Sequence, residues 1–322
     1  MTITQQSFIT IPDNPVPEGA KCYMLETPDE CKLRVATFPA RPDVKERGSF
    51  MVCTGRSEFI EKYFEIAEGL SVRGFNCVVM DWRGQGLSSR LLPIAEKGHI
   101  TTFETFTADL HFVMDEVMLK TFPKGPKFIL THSMGSVPAL DLMGNGYNEF
   151  EAAVLCAPMT RLFKSTMKRI FARIVARSAV FLNMSRQSIA GTKESSMDFE
   201  DNILTSDRAR HDKFRALQAA APNATIGAPT YGWLKAATDA MDNVHNMRLM
   251  SNLNTPILII SAGKDKLIDI RDHQWFANTY KTIECVTIKD SLHEIMMERN
   301  QYRDQFWANF DNFIDRFATK SS

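Results

Sequence analysis

Short, continuously apolar runs of β-forming residues alternate with helix-patterned stretches through most of this 322-residue chain. That rhythm constrains the fold more than any other feature. Residues 49–53, 75–80, 128–132, 152–156, 256–261 and 284–288 read as strands, and 60–73, 103–119, 135–143, 273–280 and 299–317 as helices. A run such as Cys77-Val78-Val79-Met80 suits a strand buried on both faces. The β-α-β-α order predicts an α/β fold, a mostly parallel sheet with helices on both sides. Ahead of it, 21–26 and 32–36 flank Pro28-Asp29-Glu30 and read as an antiparallel hairpin. The rhythm stops at Ala157-Pro158 and only helical periodicity continues to about residue 245. The expected organisation is therefore a sheet domain from 1–157 and 246–322, interrupted by a helical cap at 158–245.

Charge excludes one class of partner. Lys+Arg and Asp+Glu both number 38, so no global field favours nucleic acid. The six cysteines are scattered without a C-x-x-C pair, and Cys53, Cys77 and Cys156 sit in apolar runs as small hydrophobes. A bridge between Cys22 and Cys31 across the hairpin stays open. The first residues lack a basic n-region and an apolar h-region, and no run approaches the ~20 residues a membrane span needs. These features point to a reduced, cytoplasmic protein. With no H-E-x-x-H and no Cys/His cluster, a metal is not expected.

Phe128-Ile129-Leu130-Thr131-His132-Ser133-Met134-Gly135 is an apolar strand run that ends at a serine and turns into a small-residue helix. This is the layout of a nucleophile elbow, with Thr131 where G-x-S-x-G has its first glycine. A serine hydroxyl needs a positioned base, and that base needs an orienting carboxylate. Asp265 follows strand 256–261, and His293 follows strand 284–288. Three candidates thus fall at three strand exits in the order Ser, Asp, His. Asp269 is a rival acid, whereas Asp272 reads as a first-turn helix carboxylate. His111, His211, His245 and His273 fall in helices, and His132 and His99 read as structural. Oxyanion donors are expected from the backbone N–H of Met134 and of Arg56, the latter in the loop after strand 49–53. Asp81-Trp82-Arg83-Gly84-Gln85-Gly86-Leu87-Ser88 matches no phosphate-loop pattern and reads as a tight structural loop, with Asp81 and Arg83 as a candidate pair.

Together, T-G-R-S-E at 54–58, D-W-R-G-Q-G-L-S at 81–88, G-H-I-x-x-F at 98–103, T-H-S-M-G at 131–135, G-K-D-K-L-I at 263–268 and H-E-I-M-M-E at 293–298 resemble the monoacylglycerol lipase and lysophospholipase group of α/β-hydrolases. The likeness extends into the bacterial lysophospholipase L2 branch through L-T-S-D-R-A-R at 204–210 and G-A-P-T-Y-G-W-L at 227–234. The resemblance implies an α/β-hydrolase fold with an inserted cap. It also implies a cofactor-free serine esterase acting on a lysophospholipid or monoacylglycerol through Ser133, His293 and Asp265. Thr54 and Thr131 depart from the group's usual His and Gly. Two rival functions stay open: a hydrolase of soluble esters, amides or peptides, and a non-catalytic binding protein on the same fold.

Residues 152–193 carry eight Lys/Arg (161, 164, 168, 169, 173, 177, 186 and 193) and no acid. Leu162, Phe163, Met167, Ile170, Phe171, Ile174 and Val175 share one helical side within them. One reading is a basic amphipathic helix on an anionic membrane surface, at the inner face of the membrane. The other is an apolar stripe packed on the core beneath a solvated basic face. An apolar lid over Ser133 suits an acyl chain, with Phe181, Leu182, Tyr231 and Trp233 as candidate lining residues.

Overall fold

The computed structural model describes residues 3–189 and 198–318. Lys193, counted above among the basic residues, lies outside them. The strands are β1 (Ile3–Gln6), β2 (Lys21–Glu26), β3 (Lys32–Phe38), β4 (Gly48–Cys53), β5 (Phe75–Met80), β6 (Lys127–His132), β7 (Phe150–Cys156), β8 (Ile257–Ala262) and β9 (Ile283–Ile288). They form one sheet in the order β1-β2-β3-β5-β4-β6-β7-β8-β9. The β5-β4-β6-β7-β8-β9 part is parallel, and β1 to β3 extend it antiparallel through the β3–β5 pairing. The fold is thus the expected α/β class.

Every residue of β4, β5, β6 and β8 is buried, as continuous apolar runs require, while edge strand β9 alternates toward solvent. Two cores result, one on each face. Phe50, Val52, Cys77, Val79, Phe128 and Leu130 pack beneath α1 (Phe64–Ser71) and the C-terminal helix. Within that core the Phe50 ring stacks on Phe128 and meets Phe75 edge-on, both at 5.0 Å. Met51, Val78, Met80 and Ile129 face α2 (Glu104–Val113) and the helix after β6. A π-helical turn at Met114–Met118 follows α2 and runs into α3 (Leu119–Thr121), so the helix expected over 103–119 is not continuous. Likewise the stretch 60–73 opens as a 3-10 turn, Ile60–Tyr63, before α1.

The remaining helices are α4 (Ser136–Gly144), α5 (Thr166–Phe181), α6 (Arg208–Ala220), α7 (Tyr231–Val244), α8 (Met247–Met250), α9 (Arg271–Thr279) and α10 (Asn300–Ala318). Among the described residues, the segment between β7 and β8 holds α5 to α8 and no strand of the sheet. None of the described helices is long and apolar enough to cross a membrane.

Several expectations need correction. β1 carries no apolar run and is fully exposed; pairing with β2, not burial, makes it a strand. Cys22 sits opposite Ala36 in the hairpin register, so Cys31 is not across from it, and both are free thiols. Asp81 and Arg83 do not pair. Asp81 accepts from Ile60 N, Leu87 N and Arg34, while Arg83 bridges Asp29 and Asp109.

Helix α5 is turned the other way from the core-packing reading. Met167, Ile170, Phe171, Ile174 and Phe181 are exposed, and small residues Ala176 and Ala179 face inward against α7. The arginines are spent on acids: Arg173 on Asp242, Arg177 on Asp239, Arg169 on Asp269 and Arg161 on Asp272. Four of the eight basic residues of 152–193 are thereby paired with acids. The outward face of α5 is apolar.

Candidate active site

Ser133 stands at the sharp turn between β6 and α4 with φ +49°. A non-glycine residue held there costs about 1–3 kcal/mol, and such strain concentrates at functional sites. Gly135 is what lets the turn close against β4. A Cβ at 135 would lie 2.6 Å from the Cys53 carbonyl oxygen and 2.7 Å from that of Thr54. Thr131 needs no glycine. It is still in the strand, and its Oγ1 lies 2.6 Å from Ser136 Oγ, bracing the turn from inside.

The three strand-exit residues meet. Ser133 Oγ is 2.9 Å from His293 Nε2, and His293 Nδ1 is 2.6 Å from Asp265 Oδ2. With the carboxylate accepting, Nδ1 carries the proton and Nε2 is free to accept from the serine hydroxyl. Asp265 is fully buried, and its other oxygen accepts from Leu267 N (2.8 Å) and Ile268 N (3.0 Å). Burial pushes the Asp265 carboxyl up, but the His293 contact and these two N–H groups outweigh it and hold the group below its ordinary value. Asp265 is therefore an ionised, doubly anchored partner for the imidazole.

Asp269 is occupied elsewhere: Arg271, first by hydrogen bond, and Arg169 hold it, and its carboxyl is lowered accordingly. Asp272 is in the first turn of α9, where it pairs with Arg161 and with His245 Nε2. His99 Nδ1 bonds to Thr230 Oγ1 at 2.8 Å and ties its loop to the start of α7.

Glu58 is the residue that sequence reasoning passed over. Its carboxylate accepts from Gly55 N, Tyr63 Oη (2.6 Å), Lys62 Nζ (2.7 Å) and His132 Nδ1 (3.0 Å). Lys62 also reaches Glu294 (2.6 Å), the neighbour of His293. One buried carboxylate thus joins the loop carrying Arg56, the residue before Ser133 and the loop of His293. Burial opposes its charge, yet His132 and Lys62 overcome this and keep it well below the ordinary carboxylate range. The same pairing raises His132, whose ring lies 5.1 Å from that of His293. The E-x-x-x-K spacing at 58–62 was the available signal, but Glu294 is 232 residues away. Glu58→Gln leaves Lys62 and His132 short of charge in a dry site, which should cost about 3–5 kcal/mol. A urea midpoint equal to that of the parent protein would show that the network adds nothing to stability.

Loop 81–88 braces the same region. Trp82 Nε1 donates to Thr54 O (2.8 Å), and Gln85 accepts from Ser57 N (2.7 Å) while its Nε2 lies 3.7 Å from Met134 Sδ. Arg56 and Met134, expected to offer amides, are thereby held from one loop. Arg56, Ser133 and His293 line a single cavity of about 450 Å³ whose walls include Met159, Leu162, Ile226, Trp233 and Leu267. Of the four expected lining residues only Trp233 is there. Tyr231 is not on the wall, and Phe181 and Leu182 are exposed at the outer end of α5. Among the described residues, no group of three or more His, Cys, Asp or Glu is placed to hold a metal ion.

Comparison with known proteins decides the family. The family model described as "Serine aminopeptidase, S33" matches residues 44–300, most of the chain. The chain belongs to that hydrolase family. Lysophospholipase L2 of Escherichia coli (strain K12) is 29% identical over 281 residues, covering 84% of this chain and 81% of that protein. Monoglyceride lipase of Saccharomyces cerevisiae is 26% identical over 309 residues, covering 90% and 92%. A solved structure of a soluble variant of that yeast enzyme, in complex with a substrate analogue, superposes with TM-score 0.77 at 20% identity, covering 98% and 100%. A carboxyl esterase from Bacillus coagulans gives 0.73 at 15%, covering 93% and 99%. The likeness to the lysophospholipase and monoglyceride lipase group of serine hydrolases is thus found by comparison as well as by motif.

Proposed function

We propose that this hydrolase is a serine esterase that releases the fatty acid from a lysophospholipid or monoacylglycerol through an acyl-enzyme on Ser133. The Ser133–His293–Asp265 hydrogen-bonded chain, opening into a largely apolar cavity, is the observation that carries this reading. His293 takes the Ser133 proton as Oγ attacks the ester carbonyl, then gives it to the leaving glycerol oxygen. Asp265 keeps the imidazole in the required tautomer and stabilises the imidazolium. The amides of Met134 and Arg56 receive the developing oxyanion. Water then attacks the acyl-enzyme with His293 as base, releasing the fatty acid. Residues 158–245 act as the cap that supplies Leu162, Ile226 and Trp233 to the acyl channel.

The family's aminopeptidase description favours a second reading, cleavage of peptides. Holding a peptide's free ammonium group calls for an available carboxylate, and Glu58 and Glu294 on the cavity wall are already engaged by Lys62. A chain-length series of p-nitrophenyl esters beside lysophosphatidylcholine and an aminoacyl p-nitroanilide separates the two. The expected result is kcat/KM rising with acyl length and no anilide cleavage. Preference for acetyl esters or for the anilide would overturn the lipid assignment.

Helix α5 is proposed to enter the lipid surface from which substrate is drawn. Met167, Ile170, Phe171, Ile174 and Phe181 point outward, and each contributes about 1.5–3 kcal/mol if fully buried. Lys164 and Lys168 have no ion-pair partner among the described residues and add about 1 kcal/mol each at an anionic surface. The apolar contribution dominates. Phe171→Asp with Ile174→Asp should lower vesicle co-sedimentation more than raising salt does; the reverse order would contradict this insertion.

A further inference from the structure

Charges in a protein interior are paired unless something else requires them. Around the cavity the rule holds well: Lys62 lies between Glu58 and Glu294, Arg210 between Glu65 and Asp207, and His293 against Asp265. Arg56, half-buried on the cavity wall with its Nε buried, departs from it. Among the described residues it has no carboxylate partner. Its Nη1 donates to Ser57 Oγ (3.0 Å) and its Nη2 to the Gly227 carbonyl, while Nε makes no hydrogen bond. The guanidinium carbon lies 5.3 Å from the centroid of the Trp233 ring, on the wall of the cavity that also holds Ser133. Two of the five N–H donors of the fork are thus used, both on neutral oxygens. Desolvation lowers the group to about 10.

A mere latch from the loop of Arg56 to Gly227 would not need a charge. A neutral amide donor makes the same bond to a carbonyl without the desolvation cost that a guanidinium carries. What a guanidinium does better is receive a planar or tetrahedral oxyanion through paired N–H groups.

We propose that Arg56 receives the phosphate of the substrate, so that the enzyme selects single-chain phospholipids over neutral monoacylglycerols. This rests on Ser133 being the acyl-transfer nucleophile. The same residue then serves both ends of recognition, its amide facing the scissile carbonyl and its side chain the phosphate one glycerol away. On this reading Arg56 marks the head-group end of the cavity, and apolar lining residues such as Met159, Leu162 and Leu267 take the acyl chain.

The test compares lysophosphatidylglycerol with 1-monoacylglycerol of the same acyl chain, using the full-length protein and its Arg56→Met and Arg56→Lys variants. The readout is the ratio of the two kcat/KM values, which cancels any shared loss from a displaced loop. The parent protein should favour the phospholipid. Arg56→Met should lower the ratio about ten- to a hundredfold, as expected for losing a hydrogen bond to a charged group, and Arg56→Lys should recover part of it. A ratio unchanged by Arg56→Met, whether both activities fall together or neither does, would overturn the assignment and leave Arg56 a latch. A parent protein that cleaves neither lipid would instead overturn the esterase reading on which the inference stands.

Discussion

Replacing Ser133 by alanine is expected to lower kcat for ester hydrolysis by on the order of 10⁶, the loss found when a triad serine is removed. The size follows from the geometry. Oγ is the atom 2.9 Å from His293 Nε2, and alanine leaves the imidazole with no nucleophile to deprotonate. Stability should not fall with activity. The alanine removes a hydroxyl from a residue strained at φ +49°, and Met159 N still donates to the 133 carbonyl. A variant that folds with the parent's melting temperature and keeps more than about a hundredth of the activity would sink the mechanism.

Asp265→Asn should follow with a loss of about 10⁴ in kcat, because an amide can donate to His293 Nδ1 and trap the wrong tautomer. The structure separates this residue sharply from Asp269, its rival. Asp265 Oδ2 is 2.6 Å from His293, whereas both oxygens of Asp269 are spent on Arg271 and Arg169. Asp269→Asn should therefore loosen the link between α5 and the sheet domain without abolishing turnover. An inactive Asp269→Asn beside an active Asp265→Asn would reverse the assignment. Substrate affinity should change little in Asp265→Asn, since the carboxylate is buried behind the imidazole.

The sheet and the site were legible for the same reason. Strands buried on both faces read as unbroken apolar runs, so β4, β5, β6 and β8 could be located, and with them the exits of Ser133 and Asp265; β9, before His293, is an edge strand. What failed depended on partners distant in sequence. Helical spacing showed that α5 has an apolar stripe but not which way it faces. Ala176 and Ala179 pack against α7, and Arg173 and Arg177 pair at the surface with Asp242 and Asp239, 69 and 62 residues away. Asp81 and Arg83 looked like a pair because they are close in sequence, yet each found a partner on another element. Thr131 looked anomalous against the glycine of the elbow pattern. The close approach falls instead at Gly135, and Thr131 contributes a hydroxyl contact a glycine could not make. β1 is held by backbone pairing alone, a force that leaves no mark on side-chain pattern.

The Glu58 network shows how buried charges beside the site are held. Lys62 lies between Glu58 and Glu294, and Glu58 also accepts from His132, so these buried carboxylates beside Ser133 are partnered. Beside these paired groups the Arg56 guanidinium, with no carboxylate partner among the described residues, is a local signal for an anion.

The most direct test of acyl transfer through Ser133 is rapid-quench intact-mass analysis during turnover of a long-chain p-nitrophenyl ester, followed by peptide mapping. A transient mass increase of one acyl group is expected, mapped to Ser133 and absent from Ser133→Ala. Turnover with no adduct at any time, or an adduct that persists in Ser133→Ala, would contradict acyl transfer through Ser133.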